Sequence, residues 1–290
     1  MALRACYDLA CSPPTFDIVA FLMQVDQERH RRGDDLVEIF ILPGPAGGFR
    51  ADSLWPWTLD ERRSILHAVA VPMCEMLPGA TVSILPDRPN RLSAEYGHGR
   101  YMIGPNQFFS AYKQGVRPLR PCEQLPRNPK LITITLRECE HWPERNSNVG
   151  EWLAAAEALN AYGFDVIIVR DTRLSDAPLP SGYTADKQAS VNLHARAKLY
   201  ASAALNMFVN GGPSAFALAL DVPVLIVRPT VEGIGAIYGD EGFAAVGIVR
   251  GGQIPGAPDH QRLAWVDDTE RNIVRAAIDF ISAANARAAA

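Results

Sequence analysis

The chain has 290 residues, of which 48% are hydrophobic and 21% charged, so it has room for one large domain or two ordinary ones and is too apolar to be disordered. Its net charge of −4 and pI near 5.9 argue against a nucleic-acid-binding protein, which usually carries a strongly basic surface. Five cysteines without a C-x-x-C pair argue against a disulfide framework or a zinc site and favour a reducing, cytoplasmic location.

The first part of the chain alternates between strands and helices. Apolar runs predict strands at residues 5–11, 36–44 and 80–86. Apolar residues at three-and-four spacing predict helices at residues 16–33, ending at Gly33, and 61–77, interrupted near Pro72. This β-α-β order favours a parallel sheet.

Residues 86–130 are rich in Pro, Gly and Arg and show little period apart from a short helix near residues 108–115. They lead into a proline-rich linker at residues 118–129, which predicts a domain boundary. We therefore expect two Rossmann-like α/β domains, residues 1–125 and 126–290, whose parallel sheets face a cleft.

The alternation resumes in the second domain. Strands are predicted at residues 131–136, 164–172, 205–210 and 222–229, and helices at residues 149–163, 190–204, 211–221 and 269–289. No apolar run reaches the ~18 residues of a membrane span. No transmembrane segment is therefore predicted, whereas peripheral membrane contact stays open.

The stretch Asn210-Gly211-Gly212-Pro213-Ser214 follows a predicted strand and opens a predicted helix. Two glycines allow a tight turn with close backbone approach, and the amides at a helix start form a site for phosphate. The stretch matches neither the dinucleotide nor the P-loop glycine motif. A compact strand-to-helix turn without a ligand is the alternative interpretation.

A second polar loop follows the strand at residues 131–136. If this strand and the strand at residues 205–210 are neighbours, Arg137 and Arg145 face the same anion as the glycine turn. Asn146 and Asn148 are candidates for fixing the loop or reaching sugar hydroxyls, and Asn148 is also suited to cap the next helix. The loop therefore predicts an anion site.

The segments MFVNGGPSAFALALDVPVLIV (residues 207–227), ITLRE and RNSN resemble the nucleotide-binding domain of GT-B glycosyltransferases, in particular the fucosyltransferase-like branch. The resemblance implies that the glycine turn and the arginine loop hold the diphosphate of a nucleotide sugar, and that Asp171 lies near the nucleoside. It also implies a glycan or small-molecule acceptor. The paired-glutamate motif of other GT-B enzymes is absent, which disfavours a retaining reaction.

In such an enzyme, placed cations and helix amides stabilise the leaving diphosphate, so we expect neither a metal nor a cofactor besides the nucleotide sugar. Inversion needs a base for the acceptor hydroxyl, and the candidates are Asp8, Asp17 and Glu138. Two alternatives stay open. One is a nucleotide-sugar epimerase or hydrolase on the same fold, and the other is a non-catalytic nucleotide-sugar-binding module.

Overall fold

The structure is a computed structural model that describes residues 2–51, 57–89, 96–98, 105–123, 125–232 and 239–289. The chain divides into two compact units, unit 1 (Met1–Arg120) and unit 2 (Pro121–Ala290). Each unit is built around its own parallel sheet. The prediction of an α/β fold with parallel sheets is therefore confirmed, whereas the cleft and the acceptor and donor roles of the two domains stay predictions.

Unit 1 has a four-stranded sheet in the order β3-β2-β1-β4, in which all neighbours are parallel. Its strands are β1 (Ala2–Asp8), β2 (Leu36–Leu42), β3 (Ala80–Ile84) and β4 (Tyr96–His98). Its helices are α1 (Ile18–Arg32), α2 (Leu59–Ile65), α3 (Val71–Glu75) and α4 (Pro105–Lys113). β4 lies in the segment that we expected to be irregular.

In unit 1, single residues explain where α1 ends and why the helical segment from α2 to α3 is irregular. α1 ends at Gly33, whose φ of 72° is left-handed and strains any residue with a Cβ. Between α2 and α3 the helix widens into a π-helical turn at Leu66–Ala70, and Pro72 lies in the first turn of α3. Proline has no N–H to donate, which explains the irregularity there. Both sequence predictions, the stop at Gly33 and the interruption near Pro72, are confirmed.

Unit 2 contains six strands and six helices among the described residues. The strands are β5 (Asn128–Thr135), β6 (Asp165–Val169), β7 (Thr184–Ala185), β8 (Ala203–Phe208), β9 (Val224–Val227) and β10 (Gln261–Ala264). The helices are α5 (Val149–Ala161), α6 (Lys187–Val191), α7 (Leu193–Ser202), α8 (Gly212–Ala219), α9 (Asp240–Ala245) and α10 (Glu270–Ala289).

The strand order of unit 2, β10-β9-β8-β5-β6-β7, is the order of a Rossmann fold. All neighbouring strands are parallel. The order reverses between β5 and β8. In sheets of this order, the loops after the two strands at the reversal diverge at the carboxyl edge of the sheet, and ligands bind there. α5 and α10 pack on the sheet through a core that includes the fully buried Trp152 and Ile273.

Two sequence expectations for unit 2 need correction. The single helix expected at residues 190–204 is two helices, because Asn192 ends α6 and its Oδ1 accepts the Ala195 N–H that begins α7 at 3.0 Å. β7, β10 and α9 were not expected, since they are too short to show a period. None of the helices in the described part of the chain has the length and apolar character needed to cross a membrane.

Candidate functional site

β5 and β8 are neighbours, which is the condition for the anion site that the sequence predicted, and Thr135 pairs with Phe208 at their carboxyl ends. The loop at residues 136–148 and the turn at residues 209–211 therefore start side by side. They lie at the point where the strand order of the sheet reverses. Ligands of such sheets bind at this place.

Arg145 connects the two segments. Its Nη2 donates to the carbonyl oxygen of Asn210 at 3.1 Å, and its guanidinium carbon lies 5.7 Å from the centre of the Trp142 ring. The residue is 8% exposed. Arg145 therefore ties the loop after β5 to the glycine turn.

Arg137 lies next to the same turn, since a Cβ added to Gly211 would be 3.8 Å from its Cδ. Its guanidinium donates to the carbonyl oxygens of Trp142 (2.9 Å) and His141 (2.6 Å) and to Oδ1 of Asn146. These oxygens orient the guanidinium beside the turn.

Asn146 closes the loop. Its Oδ1 accepts the N–H of Cys139 at 3.0 Å, and its Nδ2 donates to the carbonyl oxygen of Cys139 at 2.9 Å. Asn148 is exposed and directly precedes α5, but its side chain makes no capping hydrogen bond, so the capping interpretation is wrong. Of the two asparagines, Asn146 is the one that fixes the loop.

The glycine turn stabilises itself. The buried hydroxyl of Ser214 donates to the carbonyl oxygen of Gly211 at 2.7 Å and accepts its N–H at 3.1 Å. Pro213 lies in the first turn of α8, as predicted, and has no N–H. The amides of Gly212 and Ser214 are at the helix start, where no intrahelical acceptor exists. Backbone amides, and not the Ser214 hydroxyl, are therefore the donors that this turn would offer to the predicted anion.

Asn210 and Asp171 lie at the ends of neighbouring strands. Nδ2 of Asn210 donates to the carbonyl oxygen of Pro229 at 2.9 Å, which ties the end of β8 to the end of β9. Asp171 follows β6 and caps a short 3₁₀-helix by accepting the N–H of Arg173 at 3.3 Å. Burial raises the pKa of Asp171, and this hydrogen bond opposes the increase.

Glu138 is not available as a base. Arg170 holds both of its carboxylate oxygens, Nε to Oε2 at 3.0 Å and Nη2 to Oε1 at 2.5 Å. Both side chains are 9% exposed. Accepting a proton would break this buried pair, which costs several kcal/mol of desolvated charge. The structure gives Glu138 a structural role.

Arg228 and Asp268 were missed by the sequence analysis. Arg228 follows β9 with a left-handed φ of 51°, and it donates to the carbonyl oxygen of Asn146. Its Nε lies 3.3 Å from Oδ1 of the buried Asp268, whose Oδ2 accepts the N–H of Asn148 (2.8 Å) and Nε1 of Trp152 (3.0 Å). These two residues join the loops after β5, β9 and β10. An arginine directly after a buried strand was the available signal for Arg228, as it was for Arg137.

His141 lies in the loop after β5, within electrostatic range of Arg137 and Arg145. Its pKa is lowered from the usual value by burial, and then by the positive charges of Arg137 and Arg145. The imidazole is therefore neutral at pH 7.

In unit 1, the structure separates the two remaining base candidates. Asp8 is the last residue of β1, is fully buried, and is held by both terminal nitrogens of Arg88, with Nη1 at 3.0 Å from Oδ2. Asp17 directly precedes α1, is partly exposed and accepts the Thr15 hydroxyl. Asp17 forms no ion pair with any residue in the described part of the chain. Of the three candidates, Asp17 is the carboxylate without a bound cation.

No protein-family model and no curated protein sequence matches the chain. Its structure is similar to the iron-containing dodecameric glycosyltransferase TibC of enterotoxigenic E. coli (17% identity, TM-score 0.45, 78% of this chain and 57% of that one). It is also similar to TibC in complex with ADP-D-β-D-heptose (15%, 0.46, 83% and 61%) and to the E. coli heptosyltransferase WaaC with ADP (13%, 0.45, 97% and 99%).

The chain thus spans less than two thirds of the TibC chains. Likeness at these scores does not assign a function to the chain. The predicted resemblance to the fucosyltransferase-like branch stays a prediction.

Proposed function

We propose that the chain is a glycosyltransferase that moves a sugar from a nucleoside-diphosphate sugar to a hydroxyl of a glycan or another acceptor. The observation that carries this proposal is the meeting of Arg137, Arg145 and the turn at residues 211–214 at the carboxyl ends of β5 and β8. The dinucleotide and P-loop glycine motifs are absent from these loops. Two arginines and a helix start suit a single diphosphate.

In this reaction the bond between the anomeric carbon and the diphosphate breaks, and negative charge develops on the leaving oxygens. The two guanidinium groups and the amides of Gly212 and Ser214 would stabilise that charge in a fixed arrangement, which supports a metal-independent reaction. Asp171, at the end of the second strand of a Rossmann-order sheet, is proposed to bind the nucleoside ribose.

The acceptor hydroxyl would attack the anomeric carbon from the face opposite the diphosphate and invert its configuration. Its proton would pass to Asp17, because Asp8 and Glu138 are each held by an arginine. The proposal thus assigns the donor to unit 2 and the acceptor to unit 1.

Calorimetry with nucleoside diphosphates tests the donor site. Arg145→Ala removes a charge-assisted hydrogen bond worth about 1.5–3 kcal/mol, so diphosphate affinity falls about 10- to 100-fold. Arg145→Lys recovers part of this loss, because an ammonium cannot reproduce the guanidinium fork. Arg137→Ala should weaken the same ligand, and nucleoside monophosphates should lose less than diphosphates.

The matched control is Arg275→Ala, an 80%-exposed arginine on α10 of the same unit. Unchanged diphosphate affinity in folded Arg145→Ala and Arg137→Ala proteins would refute the donor site. An assay with a donor and candidate acceptors then separates the alternatives: sugar transfer supports the transferase, free or epimerised sugar a hydrolase or epimerase, and binding without turnover a binding module.

A further inference from the structure

Arg228 and Asp268 form an ion pair in unit 2 that the proposed diphosphate site does not use. Arg228 directly follows β9, and Asp268 lies between β10 and α10. Nε of Arg228 lies 3.3 Å from Oδ1 of Asp268, and the two side chains are 21% and 7% exposed. The carboxylate is therefore buried, whereas part of the arginine side chain remains in contact with solvent.

The backbone of Arg228 is fixed in a left-handed conformation. Its φ is 51°, which strains a residue with a Cβ. Its N–H donates to the carbonyl oxygen of Ala264 at the end of β10 at 3.1 Å, and the next residue, Pro229, accepts Nδ2 of Asn210 at 2.9 Å. Strain of this kind persists where the surrounding structure imposes it, and it is frequent at ligand-binding sites.

The side chain of Arg228 crosses the end of β8. β9 pairs with β8 and β8 pairs with β5, so β9 and β5 are two strand spacings apart, which is about 10 Å. Nη2 of Arg228 nevertheless donates to the carbonyl oxygen of Asn146, in the loop after β5. The side chain therefore spans the end of β8, where the chain enters the glycine turn.

Three atoms of the pair have no hydrogen bond to any residue in the described part of the chain. Two of them belong to Arg228, namely Nη1 and the buried Nε. The third is Oδ1 of Asp268, since the N–H of Asn148 and Nε1 of Trp152 both donate to Oδ2. Buried polar groups normally have hydrogen-bond partners, so a ligand atom that both accepts and donates would complete the pair.

The charges of the pair favour a neutral ligand atom. A phosphate oxygen bound to Arg228 would lie close to the carboxylate of Asp268 and would be repelled by it. A hydroxyl group can accept from the guanidinium and donate to the carboxylate, so it satisfies both side chains. The pair therefore suits a sugar hydroxyl.

The strand order indicates which part of the donor reaches the pair. Asp171, proposed to bind the ribose, follows β6, whereas Arg137 and the glycine turn, proposed to bind the diphosphate, follow β5 and β8. Arg228 and Asp268 follow β9 and β10, which lie on the opposite side of β8 from β6. In a nucleotide sugar the diphosphate joins the ribose to the transferred sugar. The pair therefore lies on the side of the transferred sugar.

We propose that Arg228 and Asp268 bind a hydroxyl of the transferred sugar and so determine which donor sugar the chain accepts. This inference rests on the proposed function. The quantity that tests it is the ratio of nucleotide-sugar affinity to nucleoside-diphosphate affinity, because the diphosphate contacts contribute to both ligands and the sugar contact to one. Calorimetry on the whole chain measures this ratio with UDP, GDP and ADP and with UDP-glucose, GDP-mannose and ADP-glucose.

Arg228→Lys keeps a positive charge beside Asp268 but lacks the guanidinium fork. For the nucleotide that binds best, the ratio should fall about 10-fold, while nucleoside-diphosphate affinity stays nearly unchanged. Asp268→Asn keeps an oxygen for Asn148 and Trp152, and it should lower the ratio in the same direction. The matched control is Arg275→Lys, at an 80%-exposed position on α10, which should leave the ratio unchanged.

An equal fall of both affinities in Arg228→Lys would overturn the proposal, since Arg228 would then only fix the loop at Asn146. An unchanged ratio in both Arg228→Lys and Asp268→Asn, or no binding of any of the three nucleotide sugars, would also overturn it and leave the diphosphate site standing. If no nucleoside diphosphate binds to the original chain, the proposed glycosyltransferase function fails, and the sugar-binding role of the pair fails with it.

Discussion

The first strand of each unit leads into a charged side chain at the carboxyl edge of a parallel sheet, but the sign of the charge differs. β1 ends in Asp8, which Arg88 neutralises in a two-nitrogen ion pair. β5 is followed by Arg137, which carbonyl and amide oxygens hold in place. The strand-end charge of unit 1 is thus held in an ion pair, whereas the strand-end arginine of unit 2 donates to carbonyl and amide oxygens.

The pKa of His141 is lowered by burial and then by the positive charges of Arg137 and Arg145. The two parallel sheets thus differ in the groups that hold the charged side chain after their first strand. Each prediction below changes one side of this contrast.

The largest effect is expected on turnover, from a substitution in unit 1. If Asp17 is the base, Asp17→Asn should lower kcat about 10²- to 10⁴-fold and leave nucleoside-diphosphate affinity nearly unchanged. Steady-state kinetics and calorimetry on the same samples measure both.

Glu138→Gln is the comparison for the base assignment, because Glu138 lies in a buried ion pair. It should lose stability, with kcat falling far less than in Asp17→Asn. Full turnover in Asp17→Asn would move the base to another residue.

The next effect is on the stability of unit 2. Asp268→Ala leaves the N–H of Asn148 and Nε1 of Trp152 without their acceptor and removes the carboxylate beside the Arg228 guanidinium, and we expect a loss of about 3 kcal/mol in unfolding free energy. Asp267→Ala, at the exposed neighbouring position, is the control and should cost less than about 0.5 kcal/mol. Urea denaturation measures the unfolding free energy of both variants. Equal values for Asp268→Ala and Asp267→Ala would contradict the stabilising role of the Asp268 contacts.

The sequence predicted the elements with a sustained period, such as β5 with its alternating Leu, Ile and Thr and α5 with Trp152 on its apolar face. β10 was not predicted, because only Gln261 and Leu263 are buried among its four residues. The break at Asn192 was hidden by an apolar pattern that continues through it.

At the candidate site, strand-end position identified Arg137 and the glycine turn. The hydrogen-bond and ion-pair partners of the site residues could not be predicted from strand-end position. Glu138 meets Arg170, 32 residues away, and Asp268 meets Asn148, 120 residues away. Such contacts depend on which loops a sheet brings together, so the change from candidate base to ion-pair partner required the structure.

A smaller effect is expected on the pH dependence of the unfolding free energy, through the side chain of Asp171. Burial raises its folded pKa above the unfolded value of about 3.9. The native state therefore binds more protons, and the stability that this group contributes is present below that value and lost as pH rises through the folded pKa.

Asp171→Asn removes this pH-dependent loss. The variant should be more stable than the original chain at pH 7, and the difference should vanish near pH 3.5. Asp176→Asn, at a 93%-exposed position, should show no such trend. Urea denaturation at both pH values measures this, and a stabilisation that persists at low pH would contradict the assigned cause.

The most direct test of diphosphate binding at the β5–β8 edge is the pKa of His141, measured by NMR with His141→Gln to assign its signal. In the free protein this pKa should lie below the ordinary histidine value because of burial and of Arg137 and Arg145. A saturating nucleoside diphosphate should raise it, since the bound phosphates offset both positive charges, whereas the nucleoside alone should not. A His141 pKa that is the same with and without bound diphosphate would contradict the account.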